Sequence, residues 1–351
     1  MKIVADENIP LVEHYFGESG ELILKSGRAI QRSDVIDADI LLVRSVTRVD
    51  ETLLKNTAVK FVGSATSGAD HLDTVWLDQE KIRWCIAAGC NAMAVAEYVI
   101  CVIAALQKMD YLRHQKIRAG VVGVGRIGSL VAEKLAYLGW EIVLCDPFRK
   151  DILSTPFEEL ADLDFITFHT PLTRTGLYPT YHLVQKNFLE KQKKNCILLN
   201  AGRGDVFSFE ALKQYGRDIK WCLDVWEGEP IIDQTVLENA LIATPHIAGY
   251  SRQGKIRGTD MIYQQAMQQT VSEIIYPTRT FSVSTAKDWR DVVLNIFDPV
   301  VTTNAMKKNP EHFDELRKKY ADRDEFGFVT LDNMRLPEAD VLLLKKLAHF
   351  F

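Results

Sequence analysis

Short apolar, β-branched runs alternate with polar or helical stretches along the first 250 residues. Each run has the length of a strand, and each is followed by enough chain to return to the start of the next. This alternation is typical of βαβ units and predicts parallel sheets. The strands predicted in the first part are Lys2–Ala5, Asp39–Val43, Val59–Gly63 and Ile82–Ala87.

A long apolar helix separates this series from a second one. Within Ala92–Arg113, Val95, Val99, Val102 and Leu106 recur at helical spacing. The series that follows contains six predicted strands, which suits a doubly wound nucleotide-binding sheet. These strands are Ala119–Val122, Glu141–Cys145, Asp164–Phe168, Cys196–Asn200, Lys220–Val225 and Leu241–Thr244.

The pattern changes beyond residue 250. Gln253–Ile275 has the composition of a helix, and Tyr276–Asp288, with Pro277 and several Ser and Thr residues, predicts a linker. The remainder predicts a βαβα unit of about 60 residues, which would be marginally stable alone and would gain by packing on another surface. Its predicted elements are the strands Val292–Phe297 and Gly327–Leu331 and the helices Glu311–Tyr320 and Glu338–Phe350.

Charge and composition narrow the classes of function. The chain has 42 Lys and Arg against 47 Asp and Glu, a formal charge of −5, which argues against a broad nucleic-acid surface. Six scattered cysteines without CxxC or zinc-like spacing predict reduced core thiols of a cytoplasmic protein and no metal site. The most apolar stretch, Trp84–Gln107, is interrupted at Gly89 and Asn91, so we expect no membrane partner.

Three glycines form a GxGxxG motif between a predicted strand and a predicted helix. Gly123 permits a tight turn, Gly125 lets the backbone approach a pyrophosphate, and Gly128 allows close packing of strand and helix. Asp146 follows the next strand, where a carboxylate accepts hydrogen bonds from an adenosine ribose and repels a 2′-phosphate. The motif therefore predicts NAD rather than NADP, a preference that Arg149 would weaken. The alternative is that Gly128 only tightens packing and Asp146 is a turn residue.

Three further strands end in polar motifs that contain Arg203, Glu229 and His246. Because the carboxyl ends of parallel strands meet at one edge of a sheet, these side chains are expected to converge. A guanidinium clamps a carboxylate, a histidine exchanges a proton near neutral pH, and a carboxylate orients that histidine. Together they favour hydride transfer at a hydroxy acid. Separately, Arg203 could pair with Asp205, Glu229 could be a turn residue before Pro230, and His246 could be structural.

The motifs in this order resemble the D-2-hydroxyacid dehydrogenase family. They are GVGRIG (123–128), HTPL (169–172), NAGRG (200–204), DVWEGEP (224–230) and PHIAG (245–249). Other segments are similar to the branch of that family whose substrate is a phosphorylated 2-hydroxy acid. These segments are KIVADENIP (2–10), VRSVTRV (43–49), GSATSGADHLD (63–73), GCNA (89–92) and HIAGY (246–250). Gly202 departs from the pattern, because a Ser or Cys commonly precedes the arginine, and the interval from Arg203 to Glu229 is shorter than is typical.

The resemblance implies a role for individual residues. Arg203 and Glu229 would be catalytic, with His246 as the proton-exchanging group. Predicted cofactor contacts are Gly123, Gly125, Arg126, Ile127, Asp146, Thr170, Asp224 and Gly249. Predicted substrate contacts are Ser45, Thr66 and Tyr250.

A substrate phosphate needs a second anion site, for which the loop after the strand Asp39–Val43 offers Arg44 and Arg48. We predict Arg44 as a phosphate ligand, although alternation along a strand would turn one of the two arginines to solvent. The open alternatives for the whole chain are a D-2-hydroxyacid dehydrogenase with another substrate, such as 3-phosphoglycerate, and a NAD-sensing regulatory protein on the same fold.

The expected architecture is therefore α/β, with two Rossmann-like doubly wound domains, one nested in the other, and a small C-terminal α/β domain. We assign 1–92 and 251–285 to substrate binding and 93–250 to NAD binding. The small size of residues 286–351 and the resemblance both predict that this segment joins two copies of the chain in a homodimer.

Overall fold

Two sheets of parallel strands organise the chain, each within one compact unit. The first unit comprises 1–91 and 251–277, and the second comprises 92–250 and 278–351. The structure, a computed structural model, describes residues 1–113, 116–270, 274, 276–320, 322–332 and 335–348. The last parts of two predicted helices, 271–275 except 274 and 349–350, lie outside the described residues. Among the helices of these described ranges, none is long and apolar enough to cross a membrane.

The first unit begins with a five-stranded sheet of order β2-β1-β3-β4-β5, in which all neighbours are parallel. Its strands are β1 (Lys2–Asp6), β2 (Glu21–Lys25), β3 (Ile40–Val43), β4 (Phe61–Ser64) and β5 (Arg83–Ile86). Its first helices are α1 (Val12–Phe16), α2 (Arg32–Val35), α3 (Glu51–Leu54) and α4 (Thr74–Gln79). The order reverses between β1 and β3, and ligands of such sheets collect at that point, outside the carboxyl ends of the strands.

The second unit contains a six-stranded parallel sheet, as predicted. Its strands are β6 (Arg118–Val122), β7 (Glu141–Cys145), β8 (Phe165–Phe168), β9 (Ile197–Asn200), β10 (Lys220–Leu223) and β11 (Ile242–Ala243). The order is β11-β10-β9-β8-β6-β7, so the switch point lies between β6 and β8. Its helices up to residue 250 are α5 (Ala92–Lys108), α6 (Arg126–Tyr137), α7 (Lys186–Leu189), α8 (Phe209–Tyr215) and α9 (Gln234–Asn239).

Helix α5 is shorter than the predicted Ala92–Arg113. It ends at Lys108 because Asp110 and Leu112 adopt left-handed backbone conformations, with φ of 68° and 51°. Its side chains are buried over almost all of the helix and join α6 in a single core on one face of the sheet.

Helix α10 (Arg252–Met267) returns the chain to the first unit. It packs on β4, and a Cβ at Gly258 would lie 2.9 Å from the carbonyl oxygen of Ala65, so only glycine allows this close approach. Thr259 donates its hydroxyl to the carbonyl of Pro10 at 2.8 Å. The helix ends where Gln268 adopts φ of 55°.

The C-terminal part differs from the predicted βαβα unit. Its elements are β12 (Arg279–Ser282), α11 (Trp289–Ile296), α12 (Pro299–Lys308), α13 (Phe313–Lys319), β13 (Val329–Asp332) and α14 (Glu338–Ala348). The prediction of Val292–Phe297 as a strand is wrong, because Trp289, Val292, Val293 and Ile296 line one face of a helix. The predicted linker contains β12, which pairs in parallel with β13.

Two buried ionisable side chains connect α5 and α6 to this C-terminal part. Lys134 of α6 donates its ammonium to the carbonyl oxygen of Leu347 at the end of α14, where a cation also complements the helix dipole. Both carboxylate oxygens of Glu97 on α5 accept the backbone N–H of Phe326 at 3.0 Å. The C-terminal part is therefore packed within the second unit.

The cap of α11 gives a first test. Asp288 accepts the backbone N–H groups of Arg290 at 2.9 Å and of Asp291 at 3.2 Å. We expect Asp288→Ala to lower the free energy of unfolding of the second unit by about 1 kcal/mol, the usual cost of losing an N-cap. Asp288→Asn keeps an acceptor for the same N–H groups and should retain most of that stability. Denaturant unfolding of the two variants checks this; equal losses would assign the effect to the ion pairs of Asp288 instead.

Candidate active site

The glycine motif forms the turn between β6 and α6 at the switch point of the second sheet. Gly123 has φ of 84°, and a Cβ there would lie 2.9 Å from the carbonyl oxygen of His169. A Cβ at Gly128 would overlap the carbonyl oxygen of Gly123, whereas one at Gly125 would meet no atom within 4 Å. The loop is therefore tight on one side and open at Gly125. Helix α6 starts at Arg126 without a side-chain cap, which suits an anion at its N-terminus.

Asp146 connects this loop to the end of β7. Its carboxylate accepts the backbone N–H groups of Val124 at 2.8 Å and of Phe148 at 3.0 Å. Arg149 donates to the carbonyl of Val124 at 2.6 Å, but its guanidinium also pairs with Asp151 at 2.6 Å. The guanidinium of Arg149 therefore already has an anionic partner beside the loop.

The segment after β8 adds unpaired polar atoms beside the same loop. His169 contacts the hydroxyl of Thr167 through Nε2 at 2.9 Å, and burial lowers the pKa of His169 to about 3, so its ring is neutral. Within the described part of the chain, His169 Nδ1 and Thr170 Oγ1 are buried without a hydrogen-bond partner. Such atoms are uncommon in folded proteins and fit a polar ligand. A bound dinucleotide fits the loop that is open at Gly125, the carboxylate of Asp146 and the unpaired hydroxyl of Thr170.

Glu229 and His246 form a direct pair. His246 Nδ1 lies 2.8 Å from Glu229 Oε2, and Glu229 Oε1 accepts the backbone N–H of Trp226 at 2.8 Å. The side chains of His246 and Glu229 are 31% and 22% exposed, so the pair is reachable from solvent. Because the carboxylate engages Nδ1, Nε2 is the nitrogen left for proton exchange.

Asp224 organises the loop that carries His246. This carboxylate is 1% exposed and accepts the Thr244 hydroxyl at 2.6 Å and the backbone N–H groups of Ile247 and Ala248 at 2.8 and 2.9 Å. Its own carbonyl oxygen accepts the N–H of His246 at 2.7 Å. Burial raises the pKa of Asp224, while these donors favour its ionised form. Asp224 was predicted as a cofactor contact, which stays a prediction; its structural role was not foreseen.

Arg203 follows β9 in a loop that is closed by buried Asn200. The Asn200 amide donates to the carbonyl of Arg203 at 2.9 Å and accepts the N–H of Gly202 at 3.1 Å. A Cβ at Gly204 would overlap the carbonyl oxygen of Trp226. The Arg203 loop therefore lies against the segment that carries Glu229. Asn200 was not predicted, although a polar residue at the end of a buried strand is a signal for it.

The predicted substrate residues are divided between the units. In the first unit, Arg44 donates to both carboxylate oxygens of fully buried Asp6, at 2.9 and 3.3 Å, at the switch point of the first sheet. Ser45 is exposed in the same loop. In the second unit, Tyr250 is partly buried, and the Arg317 guanidinium lies 5.3 Å from the centre of its ring.

Thr66, also in the first unit, belongs to a chain of side chains that sequence reasoning did not identify. Its hydroxyl lies 2.8 Å from the hydroxyl of Ser64, which lies 2.8 Å from Nε2 of His71. Burial lowers the pKa of His71, which favours its neutral form. Across the ranges that the structure covers, no group of three or more His, Cys, Asp or Glu could hold a metal ion.

The chain is similar in sequence to known proteins over most of its length. Residues 97–248 match the family of the D-isomer specific 2-hydroxyacid dehydrogenase, NAD binding domain. The chain is 42% identical to an erythronate-4-phosphate dehydrogenase of Coxiella burnetii (strain RSA 331 / Henzerling II), over 99% of this chain and 98% of that protein. It is 40% identical to one of Teredinibacter turnerae, over 96% of each.

Solved structures share the fold over a smaller part of the chain. The TT0316 protein from Thermus thermophilus superposes with a TM-score of 0.66 at 24% identity, over 76% of this chain and 96% of that one, and shows the fold alone. An NAD⁺-bound 3-phosphoglycerate dehydrogenase of Entamoeba histolytica gives a TM-score of 0.65 at 25% identity, over 76% of this chain and 94% of that one. About a quarter of this chain thus lies beyond these matches.

The family match and the NAD⁺-bound structural relative confirm NAD as cofactor, and the parallel sheets together with the structural matches confirm the predicted α/β, Rossmann-like fold class. That 286–351 forms a dimer stays a prediction. The similarity over almost the full length to two erythronate-4-phosphate dehydrogenases narrows the assignment to one branch of this family. The chain therefore belongs to the D-isomer specific 2-hydroxyacid dehydrogenases and, among them, to the erythronate-4-phosphate dehydrogenase family.

Proposed function

We propose that this chain oxidises 4-phospho-D-erythronate to 2-oxo-3-hydroxy-4-phosphobutanoate with NAD, a step in the biosynthesis of pyridoxal 5′-phosphate. The observation that carries this proposal is the 2.8 Å contact between Glu229 and His246, at the sheet edge that also bears the Arg203 loop. The similarity over almost the whole chain to erythronate-4-phosphate dehydrogenases identifies the substrate.

His246 accepts the proton in this proposal. Oxidation of the alcohol removes a hydride from C2 and a proton from its hydroxyl; the nicotinamide of bound NAD supplies the hydride acceptor. The neutral His246 ring takes the proton at Nε2, because Nδ1 faces the carboxylate of Glu229. The imidazolium that results lies against that carboxylate, which stabilises it and keeps the ring oriented.

Arg203 binds and polarises the substrate in this proposal. A guanidinium recognises a carboxylate through two parallel hydrogen bonds, so Arg203 would fix the C1 carboxylate. The same positive charge lies near the C2 oxygen as it becomes a carbonyl, and fixed charges of this kind stabilise a transition state. The bonds of Asn200 to the Arg203 loop, at 2.9 and 3.1 Å, limit the movement of its backbone.

The cofactor preference, cellular location and assembly complete the proposal. Asp146 favours NAD over NADP because its carboxylate would repel a 2′-phosphate. The six cysteines form no disulfide, and five of them are buried, which supports a reducing, cytoplasmic environment. We propose a homodimer formed through 286–351 on the resemblance to this family alone, because the packing of this segment within the second unit already supplies the surface that its small size requires.

A dehydrogenase for 3-phosphoglycerate is the second candidate, because such an enzyme from Entamoeba histolytica shares the fold. Purified protein should be assayed with NAD, 4-phosphoerythronate or 3-phosphoglycerate, and an NADH-oxidising acceptor, with the 2-oxo acid product measured directly. We expect kcat/KM for 4-phosphoerythronate to be higher by at least about a hundredfold, a ratio that polar recognition of one extra hydroxymethylene group can supply. The opposite ratio would support the second candidate, and no turnover of either would contradict an enzymatic role.

His246→Ala tests the proton acceptor. We expect kcat to fall by about 10²- to 10⁴-fold, the usual contribution of a general base, while the Kd for NAD changes little. Steady-state kinetics and titration calorimetry measure the two quantities. His312→Ala is the matched control, because His312 Nδ1 also contacts a glutamate at 2.8 Å but on an exposed surface. Near-normal turnover of the His246 variant would remove His246 from the mechanism.

Arg44→Lys tests the phosphate site while keeping a cation beside buried Asp6. We expect KM for 4-phosphoerythronate to rise about 10-fold or more, since a charge-assisted hydrogen bond contributes about 1.5–3 kcal/mol. KM for unphosphorylated erythronate should change much less. Arg48→Lys, at a more exposed guanidinium (69% against 33%), is the control. An equal rise for both substrates would show that Arg44 does not bind the phosphate.

A further inference from the structure

Arg323 is a buried arginine of the C-terminal part that the proposed mechanism does not use. Arg323 lies between α13 and β13 in the sequence, and it is 6% exposed. Nη2 donates hydrogen bonds to two backbone carbonyls, those of Ala94 at the start of α5 and of Ala248. The guanidinium also lies 5.1 Å from the ring centre of Phe297 and 5.8 Å from that of Tyr98.

The contact with Ala248 lies two residues from His246. The backbone of His246 has φ of 56°, a left-handed conformation that is costly for a residue with a side chain and persists only where neighbours hold it. The carboxylate of Asp224 accepts the N–H groups of Ile247 and Ala248, and its backbone carbonyl accepts that of His246. Arg323 binds the carbonyl on the other side of Ala248. The loop is therefore held by an anion at two of its N–H groups and by a cation at the Ala248 carbonyl.

Tyr98 provides a second connection between Arg323 and this loop. Its hydroxyl lies 2.7 Å from the hydroxyl of Thr244, which in turn donates to Asp224 at 2.6 Å. The Arg323 guanidinium packs against the Tyr98 ring. Arg323 thus supports the loop at its last part directly and at its first part through Tyr98.

The segment that presents Arg323 is itself fixed. The N–H of Phe326, three residues later, binds both oxygens of Glu97, which is 2% exposed. The neighbouring Asp324 pairs with Arg279 of β12 at 3.4 Å. These contacts keep the backbone on either side of Arg323 in place.

The hydrogen bonding of Arg323 is incomplete for a residue that only stabilises the core. Among the described residues, its Nε and Nη1 atoms are buried without a hydrogen-bond partner. A buried cation with unpaired donors is costly, and an apolar side chain of similar size would often be as stable. An apolar replacement could not donate hydrogen bonds to the two carbonyls that Arg323 binds.

We infer that Arg323 is a positioning residue for catalysis: it holds the loop 244–248 so that His246 keeps the orientation that Glu229 requires. The C-terminal part then contributes to the active site of its own chain, whatever its role in assembly. This inference rests on the proposed function for its kinetic consequence, but its structural consequence can be measured without substrate or cofactor.

The test uses the full-length variants Arg323→Ala and Arg323→Lys. We expect Arg323→Ala to lower kcat at least about 30-fold, with less than about threefold change in KM for either substrate. Added guanidinium, below denaturing concentrations, should restore part of kcat, whereas methylammonium should not. Arg323→Lys should give an intermediate kcat, because an ammonium is a point donor on a different stem. Arg290→Lys, at an arginine of α11 outside the loop contacts, is the control.

Hydrogen exchange of the substrate-free protein separates this inference from the proposed function. The amides of Ile247 and Ala248 should exchange at least about tenfold faster in Arg323→Ala than in the wild type, even if 4-phosphoerythronate is not the substrate. Unchanged exchange with unchanged kcat in a folded variant would overturn the inference. So would failure of both Arg323 variants to fold, or an equal loss of kcat in the Arg290 control, because each would assign Arg323 to general stability.

Discussion

The geometry of the candidate active site depends on the hydrogen bonds that the buried carboxylate of Asp224 accepts. This carboxylate lies at the end of β10 and binds the Thr244 hydroxyl and the N–H groups of Ile247 and Ala248. An ionised group in a low-dielectric interior is costly unless donors surround it, and here the donors are the loop itself. The same bonds that satisfy the carboxylate therefore fix the backbone from which His246 reaches Glu229.

Most of the fold could be predicted from the sequence because both sheets are covered by helices on their two faces. Strands such as β3 and β9 are buried at every position, so they are continuous apolar runs. The edge strand β2, with exposed ends, lacks that signal and was not predicted. Helix α11 was misinterpreted because Val292 and Val293 favour a strand in a short window, and only their burial together with Trp289 shows the helical face.

The candidate site could be predicted to the level of residue types at strand ends. Glu229 and His246 were expected to converge because parallel strands end at one edge, and the structure brings them into contact. The residues that hold Glu229 and His246 in place could not be predicted in this way. Asn200, Asp224 and Arg323 act through hydrogen bonds to backbone groups, and which backbone group a side chain meets is decided by loop conformation rather than by spacing in the sequence. The role of Arg323 could not be predicted, because 75 residues separate it from Ala248 in the sequence.

The pairing of β12 with β13 has a consequence for the order of folding during synthesis. The first strand emerges from the ribosome well before the second, and in between come α11, α12, α13 and the segment that bears Arg323. Contacts between distant positions form only after the intervening chain has been made and ordered. A nascent chain that already contains His246, Glu229 and the complete glycine loop therefore still lacks the contact of Arg323 with the carbonyl of Ala248, on which the proposed positioning of His246 depends.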